Sequence, residues 1–279
     1  MIYLLISIIS SVSLFICFKE FSKHNINTHA AITINYLTAF IMSFIYCNKS
    51  ISLNQIIESE WLFHALALGI LFIIMFNVMA ITTQKLGISI GSMASKMSLI
   101  IPVIGAYVFN LVTEISTIQI FGILLALLSV YLILKRGKLN SKPISIALVL
   151  FCGSGIVDFT INYVQESYLA LSSDFPLFIM IVFLVAFLSG IIRNIINNVK
   201  FTIKNVLAGL ILGIPNYLSI FYVLKSLNEL GGVIVFPILN IGIVLISSII
   251  SFWIYNEQLS RVNWLGIFIA CISIILVLF

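Results

Sequence analysis

The chain has 279 residues, 62% of them hydrophobic and only 8% charged, with a net charge of +5 and a mean hydropathy of +1.23. A soluble domain carries about a quarter charged residues, so a large soluble helical core is excluded: the charges its outward faces need are absent. Repeated apolar stretches of about 18 or more residues match the roughly 30 Å core of a bilayer and read as transmembrane helices.

Taken in order, the first apolar run, Ile2 to Phe18, has no positively charged start and no small-x-small cleavage site. It reads as a retained first span rather than a signal peptide. The pattern predicts ten spans, roughly over residues 2–18, 29–47, 62–84, 88–111, 117–134, 144–165, 174–197, 202–226, 231–255 and 262–279. Most links are short, which makes sequential helices antiparallel neighbours. The longer ones are 48–61, with Lys49, Glu58 and Glu60, and the basic run Lys135-Arg136-Gly137-Lys138 through Lys142-Pro143. Cys17, Cys47, Cys152 and Cys271 fall within or at the ends of apolar runs, without the paired spacing of a disulfide framework or metal site. The positive charge is carried by links and suits anionic lipid headgroups rather than nucleic acid.

Two stretches echo each other. Thr113-Glu114-Ile115-Ser116-Thr117 precedes Phe121-Gly122-Ile123, and Asn256-Glu257-Gln258-Leu259-Ser260 precedes Leu265-Gly266-Ile267. Each is an acidic residue in a tight polar turn, then a Leu/Phe-Gly-Ile start to an apolar helix. Matching Gly122 to Gly266 divides the chain into two similar halves, 1–138 and 139–279, of five helices each. Five is odd, so the halves have opposite orientations. The expected fold is all-α, ten transmembrane helices as two inverted five-helix repeats around a central cavity, with substrate held where the repeats meet.

The run Phe221-Tyr222-Val223-Leu224-Lys225, Gly231-Gly232, Pro237, then Tyr255-Asn256-Glu257-Gln258-Leu259-Ser260 and Trp264-Leu265-Gly266 resembles the drug/metabolite transporter superfamily, in particular its EamA-type ten-helix members. Asn256 stands where that pattern has glycine. The first half carries looser counterparts in Phe76-Asn77-Val78-Met79-Ala80, Pro102 and Thr113-Glu114. The resemblance implies that helices 4 and 9 border a central cavity and that both termini are cytoplasmic. The link cations argue otherwise. That layout leaves Lys19, Lys23, Lys85, Lys135, Arg136, Lys138, Lys142, Arg193, Lys200, Lys204 and Arg261 outside, with only Lys49 and Lys225 inside, against the positive-inside rule.

A charge near mid-bilayer costs at least about 3 kcal/mol and persists only with a partner, water or a use. Lys96 lies in span 4 among Gly91, Ser92, Ser95, Ser98 and Pro102, a polar and breakable helix. Its ammonium meets an anionic substrate group, or forms a structural ion pair with Asp158, or snorkels. In span 6, Gly155, Asp158, Asn162 and Gln165 recur every three or four residues and line one helical face. Asp158 carries protons or fixes Lys96. Ser95 and Asn162 beside these charges are further substrate-binding candidates, as are Asn77 in span 3, Asn216 and Tyr217 in span 8 and Asn240 in span 9, the last four with the alternative of an interhelical hydrogen bond. Asn240 occupies the Lys96 position of the other half. Asn35 and Tyr36 read as packing groups, and Gly209 and Gly213 as a small-xxx-small packing face. Glu114 and Glu257 read as architectural charges at the starts of spans 5 and 10.

The function expected is a secondary transporter, moving a small polar or amphipathic metabolite (an amino acid or similar, by export) across the cytoplasmic membrane by alternating access. There is no Walker-type loop for ATP drive. No metal or cofactor is expected. His24, His29 and His64 have no acidic cluster around them, so the chain reads as no enzyme. The alternative is a membrane-integral enzyme or a lipid-handling protein with structural intramembrane polar residues. Both repeats are in one chain, so a monomer suffices, with a dimer as the other arrangement.

Overall fold

The structure is a computed structural model that describes residues 1–47, 56–109, 116–134, 141–169, 174–230 and 232–278. Among them the regular elements are all helical. They are α1 (Ile2–Lys23), α2 (Thr28–Tyr46), α3 (Leu62–Leu86), α4 (Ile88–Lys96), a 3-10 turn (Met97–Leu99), α5 (Ile100–Val108), α6 (Thr117–Leu134), α7 (Ser141–Tyr168), α8 (Phe175–Ile196), α9 (Ile203–Leu230), α10 (Gly232–Trp253) and α11 (Arg261–Leu278). Eight stretches are long and apolar enough to cross a bilayer, α4 and α5 counting as one, and Thr117–Leu132 and Arg261–Val277 are shorter apolar helices. Glu114 and the basic run of 135–140 lie outside the described residues.

The distribution of side chains is that of a protein solvated by lipid. Large apolar groups face outward, among them Phe63, Ile203 and Phe268, while Thr82, Thr83, Ser89, Ser92 and Ser247 are fully enclosed. In hydrocarbon the backbone has no water to bond with, so helices satisfy it internally and hydroxyls turn inward to carbonyls of their own turn. Thr82 and Thr83 do so, donating to the Val78 and Met79 carbonyls at 2.8 Å each. The chain is a multi-pass helical membrane protein.

The helices form two compact units, and neither follows the halves of the sequence. The first takes 1–20, 78–159 and 218–279; the second takes 21–77 and 160–217. Each draws on both halves, and the borders recur at nearly constant spacing, from 21 to 160 and from 77 to 217.

In the first unit α6 packs along α11, its counterpart at the Gly122–Gly266 offset. Met97, Ile100, Ala126, Ala270 and Ile274 make the core there, and the Ser273 hydroxyl donates to the Gly122 carbonyl at 3.0 Å. Counterparts α4 and α10 also pack together, through hydroxyl pairs. Ser89 lies 3.0 Å from Ser248, and Ser92 lies 2.5 Å from Ser247. Some of the polarity of span 4 is thus helix–helix adhesion rather than cavity lining.

In the second unit α2 packs along its counterpart α8. Tyr36 is fully buried, donates its hydroxyl to the Phe72 carbonyl at 3.0 Å and contacts Phe76 and Phe183. Its partner in sequence, Asn35, is also fully enclosed, with neither amide atom hydrogen-bonded among the described residues. Glycines set close approaches between the helices of this unit. A β-carbon at Gly69 on α3 would lie 2.6 Å from the Val185 side chain and 2.8 Å from the Val182 carbonyl on α8. One at Gly213 on α9 would collide with Thr38 on α2, and Gly209 one turn earlier abuts Ala31 and Ile34. Gly69 and Gly213 share the spacing of Gly122 and Gly266, and so do the residues they meet, Thr38 and Val182. The small-xxx-small face of α9 therefore seats on α2, and the other half repeats the contact.

Candidate functional site

The fourth predicted span is not one helix. It breaks immediately after Lys96, at the 3-10 turn Met97–Leu99, and resumes as α5. Pro102 supplies a local reason: it has no N–H to return to the Ser98 carbonyl one turn back. Lys96 is half-buried at the end of α4. Such a break leaves main-chain polar groups available, which a bilayer tolerates only inside protein or beside a wet cavity.

α7 meets the broken span closely. A β-carbon at Gly155 would overlap the Ile101 side chain, and Gly105 abuts Phe159. Asp158, three residues after Gly155, lies on the same face. Asp158 is accessible, and its charge and that of Lys96 are close enough to attract. Neither side chain makes a direct ion pair or hydrogen bond among the described residues. Ser95 and Ser154 flank them, hydroxyl to hydroxyl at 3.4 Å, and Ser98 donates to the Ser95 carbonyl at 2.5 Å. Two opposite charges thus lie near enough to attract without closing to an ion pair, beside a long hydroxyl contact. Asn240 is in the same unit, on α10. The antiparallel register of the serine pairs carries it about two turns on, level with the 3-10 turn. It is buried, and its amide makes no hydrogen bond among the described residues.

The remaining sequence candidates belong to the second unit. Asn77 is buried and engaged at both ends: its Nδ2 donates to the Ile73 carbonyl at 2.6 Å, and its Oδ1 makes a short bond to His29 Nδ1. That favours the packing alternative. Asn162 is exposed one turn beyond Asp158 on α7. Asn216 and Tyr217 are buried on α9 directly after Pro215, and Tyr217 stacks on Tyr46 at 6.1 Å between ring centres.

A second polar centre, undervalued from sequence, is built on Glu257. Its carboxylate is 2.7 Å from the Lys19 ammonium, accepts from the Ile88 N–H at 3.1 and 3.2 Å, and accepts a short bond from Ser251. Gly87, at φ +102, leaves the space that the carboxylate fills. Glu257 therefore caps α4 rather than α11, the helix it precedes. Beside it the Tyr255 hydroxyl donates to Glu20 at 2.6 Å. Burial, the Glu20 hydrogen bond and the nearby negative charges push this phenol well above its ordinary range. The sequence signal was present in part, since an acid within a tight turn suggests a cap. Which N-terminus it caps depends on a partner 169 residues away.

No family model matches the chain. It is 27% identical over 275 residues to an uncharacterized protein of Haemophilus influenzae, spanning 95% of this chain and 93% of that protein. The likeness runs through both compact units.

Proposed function

We propose that the chain is a secondary transporter of the EamA-type drug/metabolite class. It crosses the cytoplasmic membrane ten times as two inverted repeats, and it moves a small zwitterionic metabolite such as an amino acid by alternating access. The observation that carries the reading is the unpaired opposition of Lys96 and Asp158 beside a helix break. A lone charge at membrane depth is costly, and two that simply satisfied each other would close to ion-pair distance. Held apart, they present a cation and an anion to one solute that carries both charges, and the loaded site stays neutral. Ser95, Ser154 and Asn240 add neutral hydrogen-bonding capacity on the same unit.

The repeat reading is supported by the pairing of counterparts: α2 with α8, α4 with α10, α6 with α11. It is supported further by Gly69 and Gly213, which make equivalent contacts at one offset. Inverted repeats of this kind let one chain exchange two equivalent conformations around a fixed site. Asn240, at the Lys96 position of the second half, breaks the symmetry so that the solute has one orientation.

Ligand-dependent thermal stability of the detergent-solubilised protein tests this. Amino acids, sugar phosphates, nucleotide sugars and cationic amines are compared on wild type, Lys96→Met and Asp158→Asn. A ligand at a hundred times its Kd adds about 2.7 kcal/mol. Stabilisation by zwitterions, lost in both variants and matched by loss of uptake into proteoliposomes, is the expected result. Stabilisation by zwitterions that survives both substitutions removes the pair from the site. Stabilisation by sugar phosphates alone, dependent on Lys96 only, replaces the substrate class.

A further inference from the structure

We infer that the end of the second unit formed by the α1–α2 and α8–α9 turns is a docking surface for anionic phospholipid headgroups of the cytoplasmic leaflet, so that both chain termini lie on the opposite side of the membrane. The two turns are one platform. The Asn27 N–H donates to Asn205 Oδ1 at 3.0 Å, the Lys204 ammonium donates to the His24 carbonyl, and Arg193 Nη2 lies 3.3 Å from His29 Nε2. Asn25 and Asn198 take positive φ in the two turns, at 52° and 51°.

On this platform Lys23, Arg193, Lys200 and Lys204 are all exposed. The acids of the unit, Glu58, Glu60, Glu166 and Asp174, all lie toward the opposite ends of its helices, beyond α2 and before α3, at the end of α7 and before α8. Directly beside the cations stand bare aliphatic groups, Ile196 at 71% exposure and Ile203 at 81%. Lys23 has Glu20 one turn before it on α1, whereas Arg193, Lys200 and Lys204 enter no salt bridge among the described residues; these three cations with a flanking aliphatic rim match a phosphate plane above acyl chains. Each cation near an anionic surface adds to the attraction, which salt screens.

The rest of the chain agrees in sign. With ten crossings, the platform's side carries eleven of the 14 Lys and Arg residues and only Glu20 and Glu257 among the acids. The other side carries Lys49 and Lys225 against Glu58, Glu60, Glu114, Glu166, Asp174 and Glu229. There Glu229 pairs with the chain's own N-terminus at 3.7 Å, and Lys225 lies over the Tyr3 and Phe221 rings. The positive-inside bias thus places the platform in the cytoplasm, the reverse of what the family resemblance implies. The sidedness rests on the ten-crossing reading above; the lipid contact does not.

Two measurements test it on the full-length protein. In a background with the four native cysteines replaced by serine, Asn25→Cys and Ser59→Cys are labelled in intact cells with a membrane-impermeant maleimide. Labelling of position 59 and protection of 25 until the cells are permeabilised is expected. The reverse pattern overturns the orientation while leaving ten crossings intact, and equal labelling of both overturns the crossing count itself. Separately, the thermal midpoint in detergent is titrated with short-chain phosphatidylglycerol, phosphatidylcholine and inorganic phosphate. A rise specific to phosphatidylglycerol is expected, at least halved both by Lys200→Gln/Lys204→Gln and, in wild type, by high salt. Equal rises with phosphatidylcholine, or with phosphate alone, overturn the headgroup contact.

Discussion

Removing the Glu257 carboxylate probes a well-connected point of the first unit. Taking one partner from a fully buried ion pair costs about 3–5 kcal/mol. Here the Glu257 side chain is 8% exposed and that of Lys19 is 22%. A lysine freed near the end of α1 can also turn its ammonium outward on its own stem. The ion-pair part therefore falls to about 1–2 kcal/mol. Loss of the acceptor for the Ile88 N–H adds about 1 kcal/mol, the worth of a helix cap. Glu257→Ala should thus cost about 2–3 kcal/mol, and Glu257→Gln, which keeps an acceptor for Ile88, about 1–2. The assay is thermal unfolding in detergent at one fixed scan rate, since unfolding of such a protein is read as a rate. At about 2–4 °C per kcal/mol for a chain near this size, Glu257→Ala lowers the midpoint by about 4–12 °C. A double-mutant cycle with Lys19→Ala should show coupling of about 1 kcal/mol. Additive single effects, or a Glu257→Ala shift below about 1 °C, would refute the reasoning.

Gly87→Ala should reproduce much of the Glu257→Ala loss, because its β-carbon occupies the carboxylate's space at a φ that L-residues avoid; a wild-type midpoint would show that the cap does not need that geometry. Gly69→Leu and Gly213→Leu should each cost about 1–3 kcal/mol from overpacking and by similar amounts, since they hold equivalent contacts; a large effect at one and none at the other would count against the repeat. Ser92→Ala and Ser247→Ala should each cost only about 0.6 kcal/mol, the usual worth of an intramembrane hydroxyl bond, with substrate-dependent stabilisation unchanged; loss of that stabilisation would place the serines in the binding site. Tyr255→Phe tests a sign in pH. The folded phenol holds its proton above the ordinary value of 10.0, so its contribution is complete below pH 10 and declines as pH rises toward the folded value. Wild type should therefore lose stability above pH 10 more steeply than Tyr255→Phe; parallel pH curves would exclude the phenol as the cause.

Much of the site was legible before any fold was known because the signals are local. Lys96 and Asp158 stand out as charges in apolar runs, and the helical spacing of Gly155, Asp158 and Asn162 puts them on one face. The proline after Lys96 announced a weak point in that helix. Asn77 was legible as a polar group, yet its engagement with His29 was not, since the two are 48 residues apart. Ser92 was legible only as part of a polar, breakable helix, and its partner is Ser247 across a packed interface.

The sequence by itself determined that the chain lives in lipid, how many apolar runs it has, where its charges cluster and that its two halves echo each other. Hydropathy, periodicity and repetition are properties of neighbouring residues and survive without a fold. Only the tertiary structure decided that counterpart helices of the two halves pack together, and that each compact unit borrows from both halves. It also decided that Glu257 caps α4 and that Asp158 comes near Lys96 without forming an ion pair with it. Those outcomes depend on which surfaces meet after the chain has crossed the membrane many times. In hydrocarbon that choice is made by close packing at glycines and by single hydroxyl, amide and carboxylate contacts, between residues that local periodicity cannot pair.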